Sequence, residues 1–216
     1  MQSLTLVQQL AVAVIPVLFA ITLHEVAHGW VARQLGDRTA EMLGRLTLNP
    51  LKHIDPLGTV VVPAVMLALG GFLFGWAKPV PIGVRNLRNP RRDMVLVAAA
   101  GPASNILMAF GWAFFAKLVL LINPGEAVGQ YFLAMSQVGV FINVILAVFN
   151  MLPLPPLDGG RVVTGLLPPA QGAAFARLEP WGLPIVVVLL VTGVLWRFLS
   201  PILTALGDAV YSVAGL

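Results

Sequence analysis

The chain has 216 residues, of which 58% are hydrophobic and only 10% charged, and its mean hydropathy is +0.90. That is too apolar for a water-soluble domain of this length, so one membrane-embedded domain over residues 1–216 is expected. The balance of 13 Lys+Arg against 9 Asp+Glu is basic, but the cations fall in loops without interleaved aromatics, which argues against a nucleic-acid partner and for orientation in a lipid bilayer. With no cysteine, neither a disulfide framework nor a thiolate metal site is available.

The first span is expected from Leu4 to about Leu35, kinked at Pro16 and ended by Gly36-Asp37. The first twenty residues carry no Lys or Arg and so lack the basic region of a cleavable signal, and the helix is expected to be retained. Inside it lies His24-Glu25-Val26-Ala27-His28. Histidines at i and i+4 stand one turn apart on one helix face, where both imidazoles reach one metal ion. Glu25 is rotated by about 100° from His24, beside the pair, where it can take a proton from water without being a ligand. A carboxylate deep in a lipid-embedded helix costs roughly 2.5–3.5 kcal/mol and marks a functional site. The plain alternative is two structural histidines with a coincidental glutamate.

Residues 37–56 are polar and mixed, and the alternation over Met42–Leu48 predicts a short β element at the membrane surface. His53, in the same stretch, reads as a solvated loop histidine. A second apolar stretch, Leu57–Trp76, is interrupted by Pro63 and Gly70-Gly71. Trp76-Ala77-Lys78-Pro79-Val80-Pro81-Ile82 is predicted to be extended, because a residue before proline is pushed out of the helical region. Arg85, Arg88, Arg91 and Arg92 then form a basic turn suited to anionic headgroups. Two further spans, Met94–Ile122 and about Ala127–Leu152, are joined by Asn123-Pro124-Gly125. Trp181 is expected at headgroup level, a last span runs from near Leu183 to about Leu199, and Pro201 breaks or kinks the tail. The expected fold class is therefore an all-α multi-pass membrane protein. It has about four full transmembrane helices, one re-entrant or broken segment and a short membrane-surface β element.

Charge decides between two topologies. Four of the thirteen cations lie at 33–52, five at 78–92 and two at 161–177. A full crossing by Leu57–Trp76 splits these loops seven against four, whereas a re-entrant segment puts all eleven on one side, which the positive-inside rule favours. The first span then runs from outside to inside, and the hairpin of the next two returns Asp158 to the depth of His24 and His28. Two imidazoles and a carboxylate make a three-ligand set with a fourth position open, as catalytic rather than structural zinc sites have.

The pair His24–His28 and Asn150-Met151-Leu152-Pro153-Leu154-Pro155-Pro156-Leu157-Asp158-Gly159 resembles the paired motifs of the site-2 protease family, the intramembrane zinc metalloproteases. Gly101-Pro102-Ala103-Ser104-Asn105 is similar to that family's GPxxN element. The resemblance implies that His24, His28 and Asp158 bind one Zn2+ per chain and that Glu25 is the general base. It implies that Asn150 helps position substrate or stabilise the reacting carbonyl. The chain departs from larger members in leaving no room for a PDZ or CBS domain.

The implied reaction is metal-assisted hydrolysis of a peptide bond in or near the transmembrane segment of single-span membrane proteins. The expected location is the cell membrane, with the site toward the cytoplasmic side. Trp76, Ala77, Lys78, Pro79 and Val80 offer a strand edge onto which an unwound substrate can add, with Asn105 a further substrate-binding candidate or an interhelical hydrogen bond. Asp158 before Gly159-Gly160 also suits a simple turn. Two other functions remain open: a membrane zinc-binding transporter or sensor, and a catalytically silent scaffold.

Overall fold

Three of the apolar runs become helices long enough to cross a bilayer. In the computed structural model, which describes residues 6–62, 65, 75 and 77–216, α1 covers Leu6–Gln34 and a short α2 covers Thr39–Met42. Helix α3 covers Pro90–Ile122 and α4 covers Glu126–Asn150. Four more complete the described chain: α5 (Asp158–Leu166), α6 (Pro169–Ala176), α7 (Glu179–Val191) and α8 (Val194–Ala214). The stretches Leu10–Gln34, Pro90–Ile122 and Glu126–Asn150 are each long and apolar enough to cross a membrane. The 25 residues of α4 alone reach about 38 Å at 1.5 Å per residue, more than the ~30 Å hydrocarbon core.

Helix α3 is the hub, packing against α1, α4, α5 and α8. It starts with Pro90 in its first turn, where the missing N–H costs nothing, and ends on Asn123 in the left-handed conformation at φ 48°. Where α3, α4 and α8 meet, the buried side chains are small: Ala109, Ala113, Val140, Val144, Val210 and Ala214. Small residues let membrane helices approach closely. The large ones, such as Phe19, Leu107, Leu121 and Phe198, face outward, an arrangement that suits lipid rather than water.

Helices α1 and α3 run antiparallel. The Arg88 N–H bonds the Leu35 carbonyl at 3.0 Å, so the end of α1 and the start of α3 lie together. The chain between them returns to the side it left. Most of the predicted re-entrant stretch 57–77 lies outside the described residues, as does Trp76; its first turns form a π-helix over Pro56–Val61.

Three expectations are corrected. Residues 43–48 form turns rather than a β element, and no strand occurs among the described residues; Gly44 at φ 63° breaks the extension, and its N–H bonds back to the Glu41 carbonyl at 3.0 Å. The last predicted span is two helices, because Gly193 adopts φ 72° and separates α7 from α8. Together α6 and α7, bent by 59°, are long and apolar enough for either a broken span or a re-entrant loop, and Pro201 sits inside α8 instead of ending it. His53 is buried, not solvated: its Nε2 lies 2.9 Å from the Thr47 carbonyl.

Candidate metal centre

One face of α1 carries Ala20, His24 and His28 at four-residue spacing, and one face of α3 carries Val97, Gly101 and Asn105 at the same spacing. Antiparallel packing matches them in order. His28 Nδ1 lies 2.7 Å from the Val97 carbonyl, and His24 Nδ1 lies 2.5 Å from Asn105 Oδ1. Gly101 comes between: a Cβ there would press on His28 Nε2 and stand 2.6 Å from His24 Nε2. Only a glycine lets α3 come this close while leaving space beside both rings.

The third member arrives from α5. Asp158 is its first residue, and Gly159 and Gly160 follow because the backbone of the 151–155 turn leaves no room for a side chain at either. Asp158 Oδ2 lies 3.2 Å from His24 Nε2 and 3.3 Å from His28 Nε2, and the two ring nitrogens are 3.0 Å apart. All three residues are buried.

Proton bookkeeping defines what this triangle can hold. The Val97 carbonyl only accepts, so His28 Nδ1 carries its proton and Nε2 is left with a lone pair. The same holds for His24 facing Asn105 Oδ1, whose identity follows because Nδ2 of that amide donates to Asn143 Oδ1 at 2.9 Å and, at longer range, to the Ala20 carbonyl at 3.3 Å. Asp158 Oδ2 is buried and meets no hydrogen-bond donor among the described residues. Three electron-pair donors therefore converge with no proton assigned between them, and such a cluster calls for a cation. Tetrahedral bonds of 2.0–2.1 Å put ligand atoms about 3.3 Å apart, so the observed spacings fit zinc. These are the residues that group in the structure as a possible metal site.

Glu25 points past the triangle. Its Oε2 accepts the Val80 N–H at 2.7 Å, which brings the extended segment 77–82 against the carboxylate. That segment is clamped elsewhere too. Lys78 N–H donates to the His53 carbonyl at 2.9 Å, and Arg45 Nη2 donates to the Lys78 and Pro79 carbonyls at 2.9 and 3.3 Å. The expected free strand edge is thus already engaged at Lys78 and Val80, while Pro79 and Pro81 leave the opposite edge without donors.

The other candidates divide. Asn105 is fully buried between α1, α3 and α4, so it does not offer its amide to a substrate; it holds His24 instead. Asn150 ends α4, and its Nδ2 donates to the Leu146 carbonyl at 2.9 Å. Sequence reasoning missed Asn143, whose Oδ1 accepts from Asn105 Nδ2 at 2.9 Å. A signal was present: Ser136, Gly139, Asn143, Ala147 and Asn150 form one small and polar stripe at helical spacing in an apolar run.

The model of peptidase family M50 matches residues 115–193, the part of the chain that contains Asp158. A Bacillus subtilis protein named zinc metalloprotease YwhC is 40% identical over 200 residues, covering 91% of this chain and 88% of its own. Proteins named zinc metalloprotease Rip2 from Mycolicibacterium smegmatis and Mycobacterium tuberculosis H37Rv are 35% and 32% identical. Each match covers 84% of this chain, and 67% and 68% of theirs. No solved structure matches. The HEVAH helix, the carboxylate delivered beside it and these relatives agree: the chain belongs to peptidase family M50, the site-2 protease family, and is a membrane metalloprotease.

Proposed function

We propose that the chain is an intramembrane zinc endopeptidase that cuts single-span membrane proteins in or near their transmembrane segments, as in regulated intramembrane proteolysis. The observation that carries this reading is the buried triangle of His24 Nε2, His28 Nε2 and Asp158 Oδ2, 3.0–3.3 Å on a side, among helices of spanning length. These three residues hold one zinc ion per chain. When bound, zinc supplies the Lewis acidity that activates water near neutral pH and polarises a carbonyl.

The remaining work falls to this chain's own groups. Glu25 takes the proton of the attacking water and returns it to the leaving amine nitrogen. Asn150 orients the substrate near the same loop. A helical substrate has its carbonyls paired internally, so it must unwind before attack, and the freed carbonyl takes the Val80 N–H that Glu25 holds at rest. The exchange releases the carboxylate for catalysis and docks the substrate along residues 77–80. Eleven of the thirteen cations belong to the loops at 33–52, 78–92 and 161–177. Arg91 on α3 bonds the Gly165 carbonyl on α5 at 2.8 Å, so the second and third of these loops share one end of the bundle, which is assigned to the cytoplasmic face of the cell membrane.

The test is Glu25→Gln in the purified chain reconstituted with a single-span substrate. Zinc content should stay at one ion per chain while cleavage falls by about 10²–10⁴-fold, the usual contribution of a general base. Cleavage at the wild-type rate would overturn the reading, and zinc flux persisting in the variant would favour a transporter.

A further inference from the structure

A chain of buried amides leads from the middle of α4 to the metal centre. Asn143 and Asn105 are both fully buried. Asn143 Nδ2 donates to the Gly139 carbonyl one turn back at 2.8 Å, which leaves its Oδ1 to accept from Asn105 Nδ2 at 2.9 Å. Asn105 Oδ1 in turn faces His24 Nδ1 at 2.5 Å. A peptide carbonyl can only accept, so the Gly139 end fixes the direction of the Asn143 amide. Asn143 fixes that of Asn105, and Asn105 fixes which nitrogen of His24 carries the proton.

The geometry points to Asn143 as a positioning residue of the metal centre. It touches no ligand; it acts by keeping the oxygen of the Asn105 amide toward α1. The proton of His24 then stays on Nδ1, and the Nε2 lone pair stays aimed at His28 and Asp158. Without Asn143, the Asn105 NH₂ keeps, among the described residues, only the longer 3.3 Å contact to the Ala20 carbonyl. A rotated amide presents its NH₂ to His24 Nδ1, the proton moves to Nε2, and a protonated nitrogen binds no metal. A purely structural hydrogen bond between α3 and α4 would stabilise the bundle but leave the ring tautomer, and hence metal affinity, alone.

This inference rests on the zinc reading of the triangle, and the experiment separates the two. Zinc affinity of the purified full chain in lipid nanodiscs is measured by chelator competition, with thermal unfolding of the metal-free protein alongside. Asn143→Ser satisfies itself on the Gly139 carbonyl but falls short of Asn105; it should weaken zinc binding by about 10–100-fold, the usual cost of losing such outer support. Val144→Ala, a cavity at the next buried position of α4, should lower the unfolding temperature and leave zinc affinity within about threefold of wild type, outside that 10–100-fold range. Asn105→Asp placed in the Asn143→Ser background should restore affinity, because a carboxylate has no wrong face to turn toward His24.

Asn143→Ser binding zinc as tightly as wild type, Val144→Ala losing as much as Asn143→Ser, or no recovery in the double variant would each overturn the assignment. Should Asn143→Ser fail to fold, Asn143→Thr takes its place: its hydroxyl also bonds back to the Gly139 carbonyl and falls short of Asn105, and wild-type zinc affinity there sinks the idea. Absence of zinc binding by the wild-type chain would instead overturn the parent reading, which His28→Ala tests independently.

Discussion

At the scale of single residues, Gly101 makes the sharpest prediction. Any side chain there intrudes on His28 Nε2 and lies 2.6 Å from His24 Nε2, in the space a cation needs. Gly101→Ala should therefore abolish zinc binding, measured by metal analysis of purified protein, while the metal-free bundle stays helical by circular dichroism. How far such details are legible in a sequence depends on whether the partner is local. His24, Glu25 and His28 stand out because they share one turn in an apolar run, and Asp158 because its loop closes another. The Asn105 and Asn143 amides announce themselves as polar, but their joint task depends on the register of three helices, which no local pattern encodes. His53 illustrates the converse: a histidine among polar neighbours reads as solvated, yet it is folded inward against the Thr47 carbonyl.

At the scale of elements, Asp37 ties the end of α1 to the segment that approaches Glu25. Its buried carboxylate accepts from the Thr39 N–H at 3.1 Å, the Thr39 hydroxyl, the Gly83 N–H at 2.6 Å and Asn86 Nδ2 at 3.0 Å. Burial opposes its charge, but the hydrogen bonds from Thr39, Asn86 and Gly83 outweigh this and hold the carboxyl below its ordinary value. A hydrogen bond to a charged group is worth about 1.5–3 kcal/mol, so Asp37→Ala should lower stability by at least that much. It should also speed tryptic cleavage at Arg85 and Arg88 several-fold.

The sign of the pH effect follows from the depressed value. Asp37 contributes its full stability above the unfolded carboxylate pKa of about 3.9 and loses it as pH falls through the lower folded value. Wild-type unfolding in detergent should become acid-sensitive below about pH 4, and Asp37→Asn should blunt that dependence. Element boundaries were the least legible part: Gly44 and Gly193 turn the chain where hydrophobicity continues, and Pro201 lies within α8 because apolar packing on α3 and α4 outweighs one lost backbone bond.

For the whole molecule, composition alone told that the surface is apolar, and the structure explains how a core exists at all. With lipid outside, burying leucine gains little, so the interior is built from alanine, glycine, valine and buried amides. On the proposed zinc reading, such a bundle draws stability from its metal. Removing zinc should lower the unfolding temperature reversibly; occupancy at 100 times Kd is worth about 2.7 kcal/mol. A His24→Ala, His28→Ala variant should ignore the chelator.

The contact between Glu25 and the Val80 N–H has a consequence for safety. A bilayer is crowded with intact helices whose carbonyls are all spoken for, and none of them can bid for that amide. On the proposed mechanism the enzyme idles among them, and a chain that has come apart in its vicinity arms the glutamate. An enzyme working in this way would select its substrates by their looseness before it reads any side chain.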